Sequence, residues 1–64
     1  MEFDEVVRRV RGEFLEMPGL VLTFPQAERL WGLEQDLCRK VINALIGSEF
    51  LRCTSAGTIA RVDA

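Results

Sequence analysis

The sequence predicts a mainly α fold with a small β portion: three helices, a short strand and a β-hairpin, forming one domain over residues 1–64. Three observations predict it. Apolar residues recur at helical spacing in three separate stretches. A capping signature at Thr23 and Gln26, followed by Gly32, separates two of those stretches by a tight turn. Beyond Phe50 the helical spacing gives way to alternation around a loop that contains Gly57.

Phe3, Val6, Val7, Val10 and Phe14 define the first helix, over residues 3–15. Asp4 and Glu5 lead it and Arg8, Arg9 and Arg11 follow, an order that suits the helix dipole. Gly12 weakens it modestly. Pro18 then disfavours helical geometry at Met17, and Gly19 supplies a turn. Leu20, Val21 and Leu22 follow as a short strand, in which one or two of the three side chains face solvent.

The second helix, residues 24–31, starts from Thr23. The Thr23 hydroxyl is placed to accept the Gln26 backbone N–H, and the Gln26 side chain to reach back. Pro25 sits in the first turn, where its missing N–H costs nothing. Trp31 lies on the apolar stripe with Phe24 and Ala27 and reads as core. Gly32 takes positive φ cheaply and lets the chain reverse.

Leu37, Cys38, Val41, Ile42, Leu45 and Ile46 stripe the third helix, residues 35–46, which Gly47 or Ser48 ends. Glu34 and Asp36 favour its N-terminus by charge. Residues 50–54 and 58–62 then form a hairpin around Ser55-Ala56-Gly57, with Gly57 in the left-handed position and Thr54 facing Thr58. Leu51, Cys53 and Ile59 share one face and are expected to pack inward.

Composition narrows the function. A chain of 64 residues buries only ~60% of its unfolded surface, so it builds one thin core. It carries 8 basic and 10 acidic residues, a net −2, whereas a nucleic-acid-binding domain is usually basic. The charge is uneven. Residues 1–34 hold seven acids against four arginines, a net −3, and residues 35–64 hold three acids against four bases, a net +1. No apolar run approaches the ~20 residues that cross a bilayer, and the acidic start is unlike a signal peptide. A cytoplasmic protein with no membrane partner is expected. Cys38 and Cys53 have no metal-ligand spacing and the chain has no His, so neither metal nor cofactor is expected. With no nucleophile beside a base and no glycine-rich phosphate loop, an enzyme is not expected and no catalytic residue is assigned.

The order helix, strand, helix, tight turn, helix, hairpin resembles the winged helix-turn-helix domains of bacterial transcription regulators. The residues that carry the resemblance are Thr23 at the cap, Phe24 and Ala27 inward, Gly32 nine places after Thr23, and the stripe Leu33, Cys38, Val41, Ile42 and Leu45. Gly47-Ser48-Glu49-Phe50-Leu51 is similar to the lead into the wing. The resemblance implies a small transcriptional regulator that binds double-stranded DNA. Its contacts would come from Gln35, Arg39, Lys40 and Asn43 on the third helix and from Arg52 and Arg61 in the hairpin. A single module offers few cations, so a homodimer on paired half-sites is implied. Glu34 and Asp36 set carboxylates beside that surface, where they repel phosphate unless one accepts from a cytosine amino group. The alternative is a protein-protein interaction module on the same scaffold with no DNA binding.

Overall fold

The structure, a computed structural model, describes residues 2–62. In chain order it contains α1 (Phe3–Glu16), β1 (Leu22–Thr23), α2 (Phe24–Trp31), α3 (Gln35–Gly47), β2 (Leu51–Cys53) and β3 (Thr58–Arg61). Three helices thus precede most of a three-stranded antiparallel sheet whose spatial order is β1-β3-β2.

α1 buries Val6, Val10 and Phe14 and ends where the Met17 N–H donates to the Glu13 carbonyl at 3.0 Å. The helix runs to Glu16, and no base lies in its last turn. The acids at its start therefore suit the dipole, while Glu13 and Glu16 at its end oppose it.

The short strand is shifted from the expected residues 20–22. The Leu20 N–H is taken by the Met17 carbonyl at 2.9 Å, so pairing begins only where Leu22 meets Ile59 and Thr23 meets Thr58. Val21 is exposed, at 53%. Thr23 serves two elements, closing β1 and capping α2. Its hydroxyl accepts from the Gln26 N–H at 3.2 Å, and its own N–H donates to Gln26 Oε1 at 2.9 Å.

α2 closes at Gly32, whose φ of 64° is left-handed. The Gly32 and Leu33 N–H groups both turn back to the Glu28 carbonyl. α3 then starts after Glu34, which is extended and makes no side-chain cap, so charge alone supports that end. At the other end Glu49, with φ 64°, is the left-handed residue. Its N–H donates to the Ile46 carbonyl and the Phe50 N–H to that of Leu45, each at 3.0 Å. This is a Schellman closure with a glutamate in the place a glycine usually fills.

The hairpin has the expected geometry. The Thr54 N–H donates to the Thr58 carbonyl at 2.8 Å, Gly57 has φ 81°, and the two threonine hydroxyls lie 2.7 Å apart. Leu51 and Ile59 are buried, but Cys53 is exposed, contrary to the expectation that all three pack inward. Cys53 faces the same side as its partner Ile59, yet it sits on an edge strand beside the turn, whereas Ile59 has a strand on each side.

These sheet residues close a core built from α1, Ala27 and Trp31 of α2, Leu33, and Cys38, Val41, Ile42 and Leu45 of α3. The Phe14 and Trp31 rings pack at 6.0 Å and 57°. Among the described residues the Trp31 indole N–H has no hydrogen-bond partner, so its ring is held by packing alone. No described helix is long and apolar enough to cross a membrane.

Candidate nucleic-acid interface

α3 buries one stripe and presents the opposite one. With 3.6 residues per turn, Cys38, Val41, Ile42 and Leu45 share an inward arc, and Asp36, Lys40 and Asn43 lie nearly opposite it. Gln35 and Arg39 lie together at one margin of the exposed face. Gln35, Arg39, Lys40 and Asn43 are all exposed. The helix therefore brings four of the six candidate contacts onto one continuous surface, following directly from the Gly32 turn.

The margin that carries Arg39 faces α2. The Arg39 guanidinium carbon lies 5.9 Å from the centroid of the Phe24 ring, close enough for a cation to feel the ring's negative face. Lys40 stands four residues after Asp36 on the same face, a spacing at which the two opposite charges attract. Glu34 is exposed at the start of the helix. The local field is consequently mixed, with Arg39 and Lys40 offset by two carboxylates.

The two hairpin arginines do not share a face. Arg52 pairs with Ala60 and Arg61 with Leu51, and successive strand residues point to opposite sides. Leu51 is buried, so Arg61 belongs to the core side of the sheet and Arg52 to the outer side. Arg52 is exposed, and Arg61 is half-buried with its guanidinium 5.5 Å from the Phe50 ring centre. Arg11 of α1 approaches the same ring at 5.1 Å. The structure thus gives Arg61 a neighbourhood of its own with Phe50 and Arg11. The strand alternation already carried that signal, since Arg61 falls two residues after the inward Ile59.

Two aromatic residues that bear on the charged side chains were not legible as such. Phe24 read as core and is half-buried, but its ring also lies beneath Arg39. Phe50 read as a lead into the hairpin and is where α1 and β3 meet through their arginines. Both contacts join residues distant in sequence, and spacing carries no trace of them.

The thiols are placed far apart in character. Cys38 is fully buried, and burial, with the Glu28 carboxylate adding to it, raises its pKa above the ordinary thiol value. Cys53 is exposed, with its Sγ 3.7 Å from the Thr54 carbonyl. Both are free. Among the described residues no group of three or more His, Cys, Asp or Glu converges as a metal site would require.

Comparison of the chain with protein-family models, with curated proteins and with solved structures gives no match.

Proposed function

We propose that the chain is a winged helix-turn-helix module that binds double-stranded DNA, with α2 and α3 as the helix pair and the β2–β3 hairpin as the wing. One observation carries the reading. Gln35, Arg39, Lys40 and Asn43 stand exposed on one side of a helix that directly follows a left-handed glycine turn. The 13 residues of α3 make a rod ~20 Å long, which the ~12 Å wide major groove of B-DNA admits. Amides such as Gln35 and Asn43 can pair bidentately with adenine, while Arg39 and Lys40 suit guanine or phosphate. Arg52, on the outer side of the hairpin, supplies a cation to the flanking backbone. Arg61 is left out of this surface because it lies on the other face of the sheet.

A protein-interaction module remains the second reading, favoured by the exposed Val21 and Val62 (53% and 48%). Fluorescence anisotropy with a labelled random-sequence duplex, at several salt concentrations, separates the two. The DNA reading predicts saturable binding at low salt that weakens as salt rises. Undetectable binding at low salt hands the scaffold to a protein partner.

A further inference from the structure

Resting on the DNA-binding reading, we infer that Phe24 is a positioning residue for Arg39: it holds the guanidinium of α3 in a preset place from the neighbouring helix. An exposed arginine on a helix face ordinarily samples many rotamers and loses them on binding. Arg39 is exposed, yet its guanidinium carbon lies 5.9 Å over the Phe24 ring. The platform beneath it is fixed. Phe24 is half-buried, packs against the core and is the first residue of α2. The Thr23–Gln26 capping box holds the backbone there, and the Pro25 ring restricts the next residue.

The attraction is that of a cation for a ring face and uses no carboxylate or other acceptor, so the five N–H donors of the guanidinium can still pair with a phosphate or a base. The ring contact and recognition therefore do not compete. Lys40, on the same helix, has no such ring beneath it among the described residues and acts as a mobile point charge. The helix pair thereby presents two unlike cations: one preorganised and directional, the other free to follow the backbone.

The test is a double-mutant cycle by anisotropy with a random-sequence duplex at low salt, using wild type, Phe24→Leu, Arg39→Ala and the double variant. Leu keeps an apolar side chain at the position and removes the ring. Phe24→Leu should weaken binding about two- to fivefold when Arg39 is present and not at all in the Arg39→Ala background. Phe24→Tyr should restore the affinity. A second readout is free of DNA: the Arg39 side-chain protons should show an upfield ring-current shift in wild type and Phe24→Tyr, lost in Phe24→Leu. Equal weakening in both Arg39 backgrounds, or an Arg39 shift unchanged by Phe24→Leu, overturns the assignment. No binding by wild type overturns the DNA reading itself, whatever the proton shifts show, and with it Phe24's role there.

Discussion

Burial holds the Cys38 thiol in its protonated form inside the α3 stripe, and the nearby Glu28 carboxylate opposes ionisation further. Cys53 carries the same group into solvent. In the native protein a maleimide at neutral pH should therefore label Cys53 quickly and Cys38 only on unfolding, which intact-mass measurement can follow. Equal rates would contradict the burial of Cys38. The raised pKa also has a sign. The unfolded thiol ionises at lower pH than the folded one, so the stability it contributes is present below its ordinary range and is lost as pH rises into the alkaline range. Glu49 makes the opposite kind of statement, a residue held where its type is disfavoured. Its φ of 64° strains an L side chain, and its carboxylate sits at the negative end of α3. Glu49→Gly should raise stability by about 0.5–1 kcal/mol in urea unfolding, the relieved strain exceeding the entropy that glycine adds to the unfolded chain. A lower midpoint would mean that Glu49 makes a contact that offsets its backbone.

At the scale of elements, the helix boundaries were legible because local chemistry sets them. Thr23 and Gln26 are three residues apart, and the capping box they signal is present with both bonds formed. Gly32 and Gly57 occupy left-handed positions that few other residues take without strain. What could not be read depends on partners far along the chain. β1 starts late because Leu22 must meet Ile59, while Met17 takes the Leu20 N–H. The left-handed residue after α3 is Glu49 rather than Gly47, and a glutamate gives no local sign of that conformation. The ring under Arg39 belongs to another helix altogether. Thr23 is the element-scale residue to test, since it ends a strand and starts a helix. Thr23→Ala should cost about 0.5–2 kcal/mol, read by chemical denaturation, because two backbone donors lose side-chain partners or their geometry. A loss of a few tenths would show that the Thr23–Gln26 pair contributes little beyond what the β1–β3 pairing provides.

For the molecule as a whole, charge and size set what it can bind. Its extents are 29 × 20 × 19 Å, shorter than the ~34 Å between major grooves on one side of B-DNA, so on the proposed reading one copy would span a single groove. Three cations, Arg39, Lys40 and Arg52, lie on the proposed surface. At ~0.9 per phosphate, a monomer's log–log salt slope should be no steeper than about 3 in magnitude. A slope near twice that would indicate a homodimer on paired half-sites. On the proposed DNA-binding reading Glu34 and Asp36 would repel phosphate, while they favour the start of α3 by charge. Replacing them by Gln and Asn should tighten DNA binding several-fold and lower stability by about 0.3–1 kcal/mol each, measured by anisotropy and urea unfolding on the same preparations. Unchanged affinity would remove these carboxylates from the interface.

On the DNA-binding reading, the exposed face of α3 and the outer side of the hairpin form one surface. Titrating the isotope-labelled protein with a short duplex at low salt, and following backbone and side-chain amide resonances, tests it residue by residue. The largest shifts should fall at Gln35, Arg39, Lys40, Asn43 and Arg52, with Arg61 and the residues of α1 nearly unmoved. Shifts centred on α1 or on Val21 and Val62, or no shifts at all, would contradict it.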